Sequence, residues 1–200
     1  MTQGRTTTSY AVLGLLSVGT WTTYELAKQV QRSLNWFWPR AERKLYDEPK
    51  RLAALGLATA TRELTGNRPR TVYAITDEGR DALREWLGEP PAPRTVEFEA
   101  MVKVFFADAG DLEQLTATLT RIEEEAVQRQ ATIARMASTR PQPFPERTHI
   151  SAIGLRLQHE QEAAVLTWAR WAREQVAQWS STSDPGGWSA TEVLDDLAGR

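Results

Sequence analysis

Two short runs near the middle of the chain depart from the pattern around them. Residues 57–65 and 70–75 are rich in Thr, Val, Tyr and Ile, the side chains that suit a pleated, half-buried strand. Gly66-Asn67 between them permits a tight turn, and Pro69 stiffens it. Just before this hairpin, residues 40–55 read at helical period, with Leu45, Leu52 and Leu55 facing a core. Their other side is crowded with Arg40, Arg43, Lys44, Tyr46 and Lys50. A cationic helix feeding directly into a lone hairpin leaves few folds open.

The preceding residues narrow the choice. Residues 1–8 are polar and Thr-rich, as expected of a mobile arm. Residues 10–16 form a first helix too apolar to be exposed, ended by Gly19. Thr22 opens a second helix, with Glu25 three residues on as the other half of a capping box. Tyr24, Ala27 and Val30 give it an apolar side, while Lys28, Gln29 and Arg32 turn outward. Trp36, Phe37 and Trp38, ahead of Pro39, are costly to expose and are expected to plug the base of the next helix. Pro49 removes a helix hydrogen bond and clashes one turn back, which predicts a kink or an early end. After the hairpin, Thr76-Asp77-Glu78-Gly79 caps a fourth helix with acids at its positive end, running through Leu83 to Trp86 or Leu87.

Helix, cationic helix and hairpin give the outline of a winged helix-turn-helix. Such a unit places one helix in the major groove of duplex DNA and lays the hairpin along the backbone. The candidate DNA-binding residues are Arg40, Arg43, Lys44, Tyr46 and Lys50 on the helix, with Arg62, Arg68 and Arg70 on the wing. Arg can bind guanine O6 and N7 with both arms, while Lys, Tyr and other Arg side chains hold phosphates. Position straight after a turn and straight before the wing favours this over a merely solvated face, and the charge balance agrees modestly: residues 1–88 carry a net +4 and the remainder −6.

The second half reads as long helices. Three prolines in residues 88–93 form a stiff linker, which predicts a DNA-binding domain over 1–88, a helical domain over 94–180 and a tail over 181–200. Phe98, Met101, Val102 and Phe105 mark one face of a short helix. Asp111, with Gln114, caps a longer one, whose seam runs through Leu112, Leu115, Leu119, Ile122, Ala126, Ile133 and Met136 and is broken by Arg129. Residues 140–145 hold three prolines and turn the chain. A final helix over 148–179 returns with Ile150, Ile153, Leu157, Ala164, Trp168, Ala172, Val176 and Trp179. The tail has room for one short helix around Val193, Leu194 and Leu197. The fold class is therefore mainly α with a small β-hairpin wing.

Little points to chemistry. The chain has no cysteine, which removes disulfides, thiolate metal sites and thiol nucleophiles. Glu146-x-x-His149 has the spacing of a carboxylate–histidine metal pair, but His159 is the one other histidine and no second copy supports it. Glu123-Glu124-Glu125 is most simply a solvated face. With no phosphate-cradling loop and no nucleophile motif, no catalytic residue, metal or cofactor is assigned. The apolar run at residues 10–16 falls far short of the roughly 20 residues a membrane span needs. No basic stretch followed by an apolar one opens the chain, so a cytoplasmic location is expected. Trp168, Trp171 and Trp179 read first as core or interface anchors. The alternative is an apolar cavity lined by Phe105, Trp168 and Trp171.

The order of residues 10–16 (Tyr-Ala-Val-Leu-Gly-Leu-Leu), Tyr24-Glu25-Leu26, Phe37-Trp38-Pro39, Tyr46, Lys50-Arg51-Leu52, Leu55-Gly56-Leu57 and residues 73–79 (Tyr-Ala-Ile-Thr-Asp-Glu-Gly) resembles the PadR family of transcriptional regulators over about residues 8–88. Pro49 departs from that pattern, in which an apolar residue such as Leu is common. The resemblance implies a homodimeric repressor whose carboxy-terminal helices form the dimer interface, here Leu115, Leu119, Ile122, Ile153, Leu157 and Trp168. It also implies a small aromatic or apolar effector. Two copies at fixed separation call for a pseudo-palindromic operator with half-sites about one or two helical turns apart. The rival readings are a winged-helix adaptor that binds protein without DNA, and a metal-dependent enzyme around His149.

Overall fold

The first helix, α1 (Thr7–Leu16), starts earlier than its apolar run. The structure, a computed structural model, describes residues 4–34, 42–66 and 68–199, without the side chains of residues 42–44, 65 and 68. Thr6 and Ser9 form a capping box: the Thr6 amide donates to Ser9 Oγ at 2.8 Å and the Ser9 amide to Thr6 Oγ1 at 3.4 Å. Part of the expected mobile arm is thus a helix cap. Val12, Leu13 and Leu16 are buried, and Tyr10 stacks face to face on Trp86 at 4.6 Å.

Strand β1 (Trp21–Thr22) is too short to announce itself in sequence. Thr22 both ends it and caps helix α2 (Thr23–Ser33). Its amide and hydroxyl each donate to the Glu25 carboxylate at 2.8 Å, and its hydroxyl accepts from the Glu25 amide at 3.3 Å. The helix buries Leu26, Ala27 and Val30, but not Tyr24, which is 64% exposed. Leu26, not Tyr24, completes the inward arc with Ala27 and Val30, which turns the tyrosine to solvent.

Helix α3 (Glu42–Ala54) runs through Pro49 without ending. The ring is fully buried, as are the neighbouring Leu45 and Leu52. Burial on this scale offsets the backbone bond that proline forfeits. Leu55, expected in the core, lies past the helix and is 49% exposed. The Leu57 amide donates to the Leu52 carbonyl at 2.9 Å and the Gly56 amide to Ala53 at 3.1 Å, a Schellman stop. Gly56 supplies the left-handed residue this needs, at φ +74°.

Strands β2 (Ala58–Thr65) and β3 (Arg68–Ile75) pair antiparallel, with Thr65 opposite Arg68 and Leu64 opposite Pro69. The strands thus close at Thr65 and Arg68, and Arg68 and Pro69 belong to the strand, not the turn. In the sheet order β1-β3-β2, β1 reaches only Val72 and Tyr73. At Pro69 one edge of β3 is therefore unpaired, where a missing amide costs little. Helix α4 (Asp77–Leu87) starts at the Thr76 cap and packs Leu83 and Trp86 on the core.

These elements form one unit, Met1–Pro93; residues 94–200 form another. In the second, α5 (Glu99–Phe105) packs on α6 (Leu112–Ser138), which pairs with α7 (Thr148–Val176). The Asp111–Gln114 capping box forms as its sequence suggests. Helix α5 turns Ala100 and Val104 inward, with Phe98 ahead of it, leaving Val102 and Phe105 55% and 79% exposed. After α7 the chain folds back on the unit: the Trp188 indole donates to Gln175 Oε1 at 3.0 Å, and a short α8 (Ala190–Leu197) follows. No described helix is long and apolar enough to cross a membrane.

A Cβ at Gly79 would stand 2.0 Å from the Leu57 carbonyl oxygen. Gly79→Ala should therefore destabilise the first unit by roughly 1–3 kcal/mol, as overpacking against backbone does. Chemical denaturation followed by tryptophan fluorescence checks this.

Candidate nucleic-acid interface

Helix α3 has two sides. Leu45, Glu48, Pro49 and Leu52 are buried, whereas Tyr46 and Lys50, one turn apart, face solvent. Arg40 lies outside the described residues, as do Trp36, Phe37, Trp38 and Pro39. Arg43 and Lys44 lie in the first turn of α3 or beside it, and their side chains are likewise outside. Arg51, one residue past Lys50, turns inward. It grips Glu48 by Nε at 3.1 Å and Nη2 at 2.6 Å, and also donates to Ser9 Oγ at 2.7 Å and the Gly4 carbonyl at 2.5 Å. This fork anchors α3 to the cap of α1, and it raises the affinity of the Arg51 guanidinium for its proton through the Glu48 hydrogen bond.

The wing separates its cations. Arg62 pairs across to Thr71 and Arg70 to Glu63, so the two arginines project from opposite faces of the hairpin. Both are exposed. Arg68 shares a face with Arg70 by register, but its side chain is outside the described set. On α2 the sequence turns Lys28 and Arg32 outward but places Tyr24 on the apolar side. Tyr24, Lys28 and Arg32 stand at i, i+4 and i+8, all exposed, which makes one stripe of a hydroxyl and two cations. The signal was present in that spacing but was masked by assigning Tyr24 to the core.

The second unit sorts its apolar residues into two sets. Leu115, Leu119 and Ile122 are at most 5% exposed and already packed against Ala169, Ala172 and Val176 of the same chain. They have no surface to offer a second copy. Ile153 and Leu157 are 72% and 53% exposed, and Ile150 joins them at 51%. Trp168 is half-buried beside the first set and, with Trp171, borders an open concavity on α7 that includes Glu160, Ala164 and Thr167. Phe105 is not among its lining residues, so the expected three-aromatic cavity is not assembled within a described chain. Arg129, which breaks the α6 seam, reaches Glu125 at 2.6 Å and Glu162 of α7 at 3.3 Å. Burial pushes the Glu162 carboxyl up despite that arginine. Glu123 receives Arg170 at 2.9 Å and also Arg173, and their hydrogen bonds hold its carboxyl low. His149 is exposed, and no three His, Asp or Glu among the described residues gather as metal ligands.

The Thr22 amide, then its hydroxyl, hold the Glu25 carboxyl below the usual carboxylate range, with a smaller pull from Arg70. A lowered folded-state value stabilises the fold above the unfolded pKa, and that contribution is lost as pH falls through the folded one. Glu25→Ala should cost about 1 kcal/mol at neutral pH, the usual worth of a cap. The gap to the wild type should narrow in acid, as a series of denaturation curves down through the carboxylate range would show.

Comparison with known proteins places these features. Residues 12–85 match the family described as transcriptional regulator PadR-like, and residues 98–177 match the virulence activator alpha C-terminal family. The chain is 33% identical over 99 residues to the negative transcriptional regulator PadR of Bacillus subtilis (strain 168), 48% of this chain and 54% of that protein. The match thus spans little more than half of that relative's length. Its fold is similar to that of Bacillus subtilis PadR crystallised with operator DNA, with a TM-score of 0.68, 23% identity, and coverage of 86% of this chain and 99% of that one. It also resembles Bacillus subtilis PadR crystallised with p-coumaric acid, with a TM-score of 0.58, 26% identity, and coverage of 84% and 94%.

Proposed function

We propose, from the premise that the chain belongs to the PadR-like family of transcriptional regulators, that it is a homodimeric DNA-binding repressor. The observation that carries this reading is the split surface of α3. One side is locked into the core, and the other offers Tyr46 and Lys50 just ahead of a cationic hairpin. In each subunit α3 enters a major groove and Lys50 and Tyr46 contact the duplex, with Arg40, Arg43 and Lys44 as further candidate contacts. The wing offers Arg70, and by register Arg68, to phosphates on one of its faces and Arg62 on the other, while Tyr24, Lys28 and Arg32 of α2 follow the backbone. A solved relative bound to operator DNA supports this mode.

Dimerisation falls to the apolar residues that α6 leaves uncovered. Ile150, Ile153 and Leu157 step by three and four along α7, and Trp168 continues the stripe. A second copy of α7 is the occupant such a stripe fits. The two recognition helices then sit at a fixed separation, which calls for an imperfect palindrome as operator. A small aromatic or apolar effector that favours another arrangement of the subunits would release DNA by its differential affinity for the two states. Trp168 and Trp171 are the residues to receive it, and the relative crystallised with p-coumaric acid supports an aromatic ligand class.

Two substitutions test the reading. Lys50→Ala should weaken duplex binding and lower the slope of log affinity against log salt by about one, the loss of one phosphate contact. Ile153→Asp with Leu157→Asp should convert a dimer to a monomer in sedimentation velocity while circular dichroism stays helical. An unchanged salt slope would remove Lys50 from the interface. A dimer that survives both aspartates would place the interface elsewhere.

A further inference from the structure

The wing does not present its cations on equal terms. Arg70 sits directly opposite Glu63 in the β2–β3 register, and its Nη2 donates to Glu63 Oε2 at 2.9 Å. The side chains are 45% and 44% exposed, so a phosphate can reach the guanidinium with no backbone movement. A second carboxylate, Glu25, is pinned at the start of α2 by Thr22 and lies within the field of Arg70. By contrast, Lys28, Arg32 and Lys50 are exposed and have no carboxylate at ion-pair distance among the described residues. Arg70 meets DNA with its charge already answered, while those three do not.

A carboxylate offers a guanidinium the same paired oxygen acceptors that a phosphate does. We infer that Glu63 is a built-in phosphate substitute that withholds Arg70 from indiscriminate contact with DNA. This rests on the proposed DNA-binding function and assigns a specificity role within it. Binding without regard to sequence is driven by counterion release, so each cation held back removes affinity from that mode. To bind phosphate, Arg70 must part from Glu63 and leave that carboxylate beside the duplex. The exchange succeeds only where the contacts of α3 hold the wing in place. Glu63 thus counts against wrong sites by occupying Arg70, not by meeting the duplex itself, and an unfavourable exchange of this kind is one of the ways a protein builds specificity.

The test is a cycle of full-length wild type, Glu63→Gln, Arg70→Gln and the double variant. Each is titrated by fluorescence anisotropy onto a duplex of scrambled sequence over a salt series. Glu63→Gln should bind this duplex about three- to tenfold more tightly at low salt, with a salt slope steeper by about 0.9. In the Arg70→Gln background the same change should have no such effect. Equal affinity of wild type and Glu63→Gln would overturn the inference and leave the DNA-binding reading standing. A gain that persists without Arg70 would also overturn it, because Glu63 would then repel the duplex by its own charge. No binding by any of the four proteins at low salt would overturn the DNA-binding reading and this inference with it. Glu63→Thr, which keeps a strand-forming side chain, repeats the comparison if the glutamine variant proves unfolded by circular dichroism.

Discussion

One residue, Leu57, ties α3, the hairpin and α4 together. The Leu57 amide donates to the Leu52 carbonyl and closes α3, while the Leu57 carbonyl accepts from the Thr76 amide at 3.2 Å, where β3 gives way to α4. The Thr76 hydroxyl donates to the Gly56 carbonyl at 2.7 Å and accepts from the Gly79 amide at 3.0 Å. Gly79 is the residue that lets α4 come this close, since any Cβ there would collide with the Leu57 carbonyl. The angle at which the hairpin leaves α3 is therefore set by backbone hydrogen bonds at its base. Arg51 fixes the other flank of α3, through Glu48 and Ser9. A helix anchored in this way along its C-terminal half can present Tyr46 and Lys50 in a constant orientation, as the groove contact we propose requires.

The second unit applies a different economy of surfaces. Helix α6 spends its apolar seam on α7 of the same chain, and the charges within that pairing are matched, with Arg129 on Glu125 and Glu162 and with Arg170 and Arg173 on Glu123. These pairs fix how the two helices lie against each other more than they add stability, because exposed ion pairs contribute little. What remains uncovered is a stripe along the first half of α7. Exposed isoleucine and leucine at helical spacing mark a surface made for contact, and the burial of Leu115, Leu119 and Ile122 elsewhere leaves that stripe as the dimer-forming side in our reading.

Sequence carried the local features and lost the long-range ones. The Thr22–Glu25 and Asp111–Gln114 boxes, the Thr76 cap and the two strands were legible because each depends on residues three or four apart, or on a run of one residue type. Pro49 does not end α3, because its local penalty is outweighed by burial, which no window of sequence reveals. Tyr24 misled because apolar character alone does not say which arc of a helix faces inward, and Leu55 because it lies past the end of α3. The same held for α5, where Ala100 and Val104 turn inward and Val102 and Phe105 do not. Strand β1 is two residues long and exists only through its pairing with β3. The Arg51 fork joins residues 42 and 47 positions apart, and the split of Arg62 from Arg70 follows from a register that the proline-containing sequence did not disclose.

In our reading this chain binds duplex DNA as a dimer. The most direct test is fluorescence anisotropy of the purified protein on the DNA upstream of its own gene, against a scrambled duplex, over a salt series. The account predicts binding to the upstream duplex with two chains per site, tighter than to the scrambled one and falling steeply as salt rises. Absence of binding to either duplex at low salt would contradict it.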